Sequence, residues 1–246
     1  MGGPLCRVGG WRAGHGRLTD TLSALATPLA RNIQPKQEDP RLSEESVREL
    51  EALAQTAAGC TACRLSENRT TVVFGDGDPL ADLMFIGEGP GFNEDQQGLP
   101  FVGKSGNLLE QLLDEIGLHR KEVYIANVVK CRPPNNRDPQ QEEIEACKGY
   151  LRRQLELIQP KVVMTLGNFS TKLLLKTTTG ITNLRGTAHP WWGRQLVPTF
   201  HPAAALRGGP RVLDQMRQDF ALTATLLNTE VVEAPSDDAE QLGLFR

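Results

Sequence analysis

Apolar positions along this chain recur at two periods, and the switches between them mark out the elements. After Ser43, with Glu44 and Glu45 in the first turn, Val47, Leu50, Leu53, Ala54 and Ala57 fall at helical spacing, and Gly59 closes the run. Residues 68–74 have the composition of an edge strand ahead of the turn at 75–79. Leu83, Met84, Phe85 and Ile86 form a short unbroken apolar run suited to a buried strand, which Gly87, Gly89, Pro90 and Gly91 stop. Leu108, Leu109, Leu112, Leu113 and Ile116 predict an amphipathic helix ended by Gly117, and residues 123–129 the next strand. Prolines preclude regular structure in the segment RPPNNRDP that follows Cys131. Ile144, Cys147, Leu151, Leu155 and Ile158 then share one face of a long helix that Pro160 stops. Residues 161–166 read as strand, 169–175 as helix and 196–200 as a last strand leading into HPAAALR. Val212, Met216 and Phe220 mark a closing helix.

Strands alternating with helices after residue 83 predict an α/β fold, a three-layer α/β/α arrangement with a mainly parallel central sheet. In such sheets the ligand crevice lies beyond the carboxyl ends of the strands. Three polar clusters fall at predicted strand ends: the loop 87–103, Asn127 with the segment after it, and His201 with its following Pro202. Three glycines within five residues, Gly87, Gly89 and Gly91, let the main chain come closer to a ligand than a Cβ would allow.

Composition narrows the picture. A chain of 246 residues with 39% apolar content supports one core. The expected organisation is an N-terminal arm over 1–40, one folded domain over 41–228 and an acidic flexible tail over 229–246. No run of 18 apolar residues occurs, so the expectation is a protein without a membrane span, located in the cytoplasm. The first 35 residues carry Arg7, Arg12, Arg17 and Arg31 against Asp20, a faint likeness to a targeting composition. The formal charge is −3, yet residues 56–223 hold 19 basic and 18 acidic residues, so the surplus acid sits in the flanks. Net charge gives no support for tight nonspecific DNA binding.

Cys60 and Cys63 form a C-x-x-C pair, and Cys131 and Cys147 follow. By count, four thiolates suit zinc or an iron–sulfur cluster equally, and two pairs of free thiols are the plain alternative. A shared metal would staple the first helix to the middle of the fold.

The strand-end residues suit a planar heterocycle. Phe101 can stack on its face, Asn127 can both accept and donate at its edge, and His201 can donate to a developing oxyanion. That set matches recognition of a flipped-out base. An Asn accepting from N3–H while donating to O4 fits uracil, whereas cytosine reverses both partners; such a buried mismatch discriminates by roughly four orders of magnitude. Each residue also has an ordinary reading, as core aromatic, turn amide and capped turn histidine. The set and its order carry the specificity.

GEGPGFNEDQQGLPFVGKSG, NVVKCRPPNNRDP with the following Cys147, and TFHPAAALR closely resemble the motifs of family 4 uracil-DNA glycosylases, in order and at matching spacing over residues 45–225. The resemblance implies hydrolysis of the N-glycosidic bond of uracil in DNA and a structural [4Fe–4S] cluster on Cys60, Cys63, Cys131 and Cys147. Carried over by position, Phe101 stacks on uracil, Asn127 reads its edge and His201 stabilises charge at O2. Glu94 faces the sugar and water, while backbone N–H groups around Glu88 and Gly89 contact the base and Asn136 is a further contact. Gly89 stands where other branches of the superfamily place an acidic or amide side chain on the water. Within Ala203 to Arg207, Leu206 or a neighbour would wedge into the duplex and Arg207 would meet phosphate. Two rivals are a catalytically silent iron–sulfur damage-binding module and the X-type covalent binder. The latter needs an inserted basic loop with a histidine, which CRPPNNRDP lacks. The expected partner is uracil-containing DNA, bound by a monomer. Gln241, Leu242, Leu244 and Phe245 look like the short peptide by which bacterial repair proteins dock on the sliding clamp. Deleting residues 241–246 is expected to abolish clamp pull-down while leaving excision on short DNA intact; retained clamp binding would refute the assignment.

Overall fold

The computed structural model describes residues 44–229. The expectations for the N-terminal arm, and for the acidic tail beyond Thr229 with its clamp-like peptide, lie outside the described residues. No described helix is long and apolar enough to cross a membrane.

A six-stranded sheet forms the middle layer. Its strands are β1 (Asp76–Gly77), β2 (Leu83–Gly87), β3 (Tyr124–Asn127), β4 (Val162–Leu166), β5 (His189–Trp191) and β6 (Arg194–Thr199), in the order β1-β3-β2-β4-β6-β5. The four central strands are parallel, and the short β1 and β5 add antiparallel edges. The expected three-layer architecture is therefore present. Although β2 is buried along its whole length, its side chains still sort by pleat. Met84 and Ile86 face one helical layer with Leu151 and Leu155, while Leu83 and Phe85 face the other with Leu109, Leu112 and Phe220. The first layer contains α1 (Glu44–Ala58), α4 (Gln141–Ile158) and α5 (Asn168–Leu174); the second contains α3 (Lys104–Glu115) and α8 (Pro210–Leu227).

The sequence reading misplaces one strand. Residues 68–74 are not a strand, and the edge position belongs to Asp76–Gly77, paired with Ile125 and Tyr124. The reason is local. A buried Asp95 carboxylate accepts from the N–H groups of Thr70 and Thr71 at 2.9 and 3.4 Å, and only Val73 donates to the neighbouring chain, at Lys130 O. The strand expected over 123–129 ends at Asn127.

Four short elements are absent from the hydrophobic pattern: α2 (Phe92–Gln97), α6 (Ile181–Leu184), α7 (Pro202–Gly208) and β5. The first makes part of the expected loop after β2 helical, and α7 makes a helix of the HPAAALR segment. Strand β5 joins β6 through Trp192 and Gly193, both at positive φ (47° and 67°), as a two-residue hairpin of this hand requires. A tryptophan at the first position hides the turn, because Asn or Asp is its usual signal.

Packing reaches the site through the second layer. Asp219 of α8, fully buried, accepts from Arg185 at 2.7 and 3.0 Å and from the Thr199 hydroxyl at 2.7 Å, which fixes the last residue of β6 two positions before His201.

Candidate active site

The ends of β2, β3, β4 and β6 open onto one pocket of about 1000 Å³. Chain order reverses here, since β3 lies on one side of β2 and β4 on the other, which is where an open α/β sheet parts its flanking loops. Glu88, Gly89, Glu94, Phe101, Asn127 and His201 all line it. These six sequence-predicted site residues therefore meet in space.

Asn127 is the last residue of β3, in register with Gly87 of β2. A Cβ on Gly87 would lie 2.4 Å from Asn127 Oδ1 and 2.9 Å from the Phe101 ring, so only glycine lets the amide and the ring share this floor. The Asn127 side chain is buried, and its Oδ1 has no hydrogen-bond partner among the described residues. Leaving a buried acceptor unpaired costs about 1–3 kcal/mol, which a ligand N–H would recover. The main chain behind it is held by Lys130, whose Nζ donates to Asn127 O at 2.9 Å and to Gln154 Oε1 at 2.5 Å.

Phe101 has φ 52°, a left-handed conformation that bulky residues rarely adopt. Two side chains far apart in sequence hold it there. Arg120 donates to Pro100 O at 2.6 Å and to Phe101 O at 3.1 Å, and Glu94 Oε1 accepts from Val102 N–H and Gly103 N–H at 3.0 and 3.3 Å. A Cβ on Gly106 would sit 1.8 Å from Phe101 O, so the start of α3 must carry a glycine there. The ring ends 5.6 Å from that of His201, at an interplanar angle of 32°. Glu94 thus shapes the loop with one oxygen and keeps the other, near Gly91, on the pocket side.

His201 caps α7. Its Nδ1 accepts from Ala203 N–H at 3.1 Å, which leaves Nε2 as the protonated, donating nitrogen. Burial depresses the imidazole to about 4, with the Arg207 charge adding and Glu94 opposing, so the ring is neutral at physiological pH. Gly167, at φ 98° after β4, brings the chain within 3.0 Å of the His201 Cβ, counted from where its own Cβ would stand.

The remaining wall comes from the segment after Cys131. Asn136, in a short turn over Pro134–Asn136, also has positive φ (53°), and its Oδ1 accepts from Arg132 Nε at 2.7 Å. Besides the backbone N–H expected to meet the base, Glu88 lines the pocket as a residue. Burial raises its carboxyl to about 7, and Asp138 reinforces the shift by charge and hydrogen bonding. Leu206 projects from α7, 51% exposed, beside Arg207, which reaches the pocket.

Sequence reading missed Arg120, Asp138 and Gly167. Gly167 was findable as a glycine between a strand and a helix, whereas Arg120 and Asp138 act through tertiary placement only.

The four cysteines line a second, small pocket, together with Ala57, Ala62 and Ala146. Cys131 Sγ accepts from Arg69 Nη1 at 3.4 Å and Cys147 Sγ from Lys130 N–H at 3.3 Å, as thiolate ligands do. Among the described residues no three His, Cys, Asp or Glu groups meet where one metal ion could be chelated. The pocket nevertheless brings Cys60 and Cys63 to the same place as Cys131 and Cys147, so thiol donors from both segments border one space.

Fold and site together define an α/β/α protein built to hold a flat, hydrogen-bonding heterocycle at its strand ends. The profile of the Uracil DNA glycosylase superfamily matches residues 74–221. A type-4 uracil-DNA glycosylase of Sulfurisphaera tokodaii is 46% identical over 180 residues, 70% of this chain and 81% of the relative. One of Thermotoga maritima is 46% identical over 160 residues, 64% of this chain and 83% of the relative. A type-5 uracil-DNA glycosylase of Thermus thermophilus is 31% identical over 192 residues, 61% of this chain and 85% of the relative. The chain belongs to the type-4 branch of the uracil-DNA glycosylase superfamily.

The depressed His201 pKa carries a stability consequence. Between its ordinary value near 6.5 and its folded value of about 4, the unfolded chain takes up a proton that the folded chain refuses. The group therefore withdraws stability as pH falls through that window, by about 3 kcal/mol in full. Urea unfolding at about pH 7 and about pH 4.5 is expected to show a larger loss for wild type than for His201→Gln; equal losses would show the ring is not held neutral.

Proposed function

We propose that this protein extrudes uracil from DNA into the strand-end pocket and hydrolyses its N-glycosidic bond, leaving an abasic site. The observation that carries the reading is the unpartnered, buried Asn127 Oδ1. Uracil N3–H supplies its missing donor, and the amide Nδ2 donates to O4. Cytosine offers no N3–H and places an amino group against Nδ2, so its entry leaves Oδ1 unpaired. Phe101 stacks on the base and holds its plane, with Glu88, Gly89 and Asn136 along the rim.

As the bond from C1′ to N1 breaks, its electron pair moves into the uracil ring and charge builds on O2. His201 Nε2–H is the donor for that charge. A neutral imidazole is suited to this role, since it stabilises the anion without first giving up a proton. The sugar acquires oxocarbenium character, and water adds at C1′; the proton it releases balances the one that the departing uracil anion takes up. The Glu94 oxygen not committed to the Phe101 loop orients that water or faces the cationic sugar. Leu206 fills the position that the nucleotide vacates, and Arg207 contacts phosphate. Cys60, Cys63, Cys131 and Cys147 would hold a [4Fe–4S] cluster, whose contribution would be to fix the main chain on both sides of the pocket wall.

Single-turnover assays on single-stranded and U:G oligonucleotides are expected to release free uracil. His201→Ala should slow the chemical step roughly a hundred- to a thousand-fold with a much smaller change in DNA affinity. No uracil release by wild type would favour the silent damage-binding module. Anaerobic preparations are expected to be brown, with four irons per chain and broad visible absorption lost on Cys147→Ser; a colourless protein containing zinc would overturn the cluster assignment.

A further inference from the structure

Three large apolar side chains stay exposed among the described residues: Phe92 at 56%, Leu99 at 42% and Leu206 at 51%. All three lie on segments that frame the strand-end pocket. Phe92 follows Gly91 at the start of α2, Leu99 comes two residues before Phe101, and Leu206 sits on α7 behind His201. The wedge role accounts for Leu206. Nothing in the uracil pocket accounts for Phe92, which is not among its lining residues.

Phe92 does not stand alone. The Arg132 guanidinium lies over its ring, 5.1 Å from the centroid, and Arg132 Nε is anchored by Asn136 Oδ1 on the pocket wall. The terminal nitrogens of Arg132 bond to no other described residue. An exposed aromatic ring covered on one face by a cation with free donors, joined through Asn136 to the base pocket, leaves its other face to a base, the combination that single-stranded nucleic acid recognises. Bases stack on aromatic rings or guanidinium planes, and phosphates take the remaining N–H groups. A protein partner would require a broader apolar patch than one ring. A duplex offers little to such a platform, because the bases beside an extruded nucleotide remain stacked in the helix.

We propose that Phe92 and Arg132 form a stacking platform for the unpaired base next to the flipped uracil, giving the enzyme a dedicated hold on single-stranded substrate. The inference rests on the uracil-excision reading and adds a strand-type specificity to it. The nucleotide beside uracil lays its base on Phe92, while Arg132 takes the adjoining phosphate.

The test compares binding of single-stranded and U:G duplex oligonucleotides that carry a non-hydrolysable fluorinated deoxyuridine, measured by fluorescence anisotropy. Phe92→Ala is expected to weaken single-strand binding about tenfold and duplex binding less than about twofold. Phe92→Trp should restore single-strand binding, with its indole fluorescence quenched on addition of DNA. Phe92→Leu keeps an apolar side chain but no π face, and should behave as the alanine variant. Equal losses on both substrates, an unchanged ratio, or full rescue by leucine would overturn the platform. Wild type is run in parallel for release of free uracil: activity with no Phe92 effect rejects the platform alone, whereas absence of release rejects the underlying function. Should Phe92→Ala fail to fold, the tryptophan and leucine variants carry the same comparison.

Discussion

The positive φ of Phe101 is the constraint on which the rest of the site depends. A bulky residue in this region costs of order 1–3 kcal/mol, and it persists only where its surroundings over-determine it. Here the surroundings are Arg120 on the carbonyls of residues 100 and 101 and Glu94 on the N–H groups of residues 102 and 103. With both sides of one peptide segment held, the ring is delivered over Gly87 and against His201, and the start of α3 must then accept a glycine at 106. Glu94 is consequently a builder of the pocket before it is anything else. Its second oxygen can serve chemistry because the first one fixes where the carboxylate stands.

Much of this was legible in the order of residues. Alternating strand and helix periods gave the layered architecture, and polar residues bunched at strand ends gave the location of the pocket. Asn127, Phe101 and His201 could be named because each side chain has a chemistry that a heterocycle needs. What stayed hidden has a common physical character. Arg120 has no local signature, since its partners are backbone carbonyls that only the folded loop presents. The edge strand moved from residues 68–74 to 76–77 because a buried carboxylate from another element, Asp95, took the N–H groups a ladder would have used. The hairpin at Trp192 and Gly193 hid behind a residue that seldom accepts positive φ.

The pocket wall over residues 132–146 is tied down more firmly than its prolines suggest. Within it Glu143, buried at the start of α4, accepts two hydrogen bonds from Arg137, at 2.6 and 2.8 Å, and one from Gln140 N–H. Arg64, one residue after Cys63, approaches the same carboxylate and pairs with Glu142. The segment carrying Asn136 and Asp138 is therefore joined to the C-x-x-C segment by an ion-pair network.

The spacing of those cysteines bears on chain entropy. Cys63 and Cys131 are separated by most of the first half of the folded domain, and a group held by both closes a loop containing α2, α3 and three strands. Closing a loop of this size in the unfolded chain removes on the order of 4 kcal/mol of its conformational freedom by the same reasoning that applies to a disulfide. The cross-link would lie between elements rather than within one, so its loss would loosen the mutual register of helix α1, the pocket wall and helix α4 while leaving each able to form. Retention of such a group would then measure how the layers are held together, and the base pocket, which is assembled from their ends, would be the first part to register its loss.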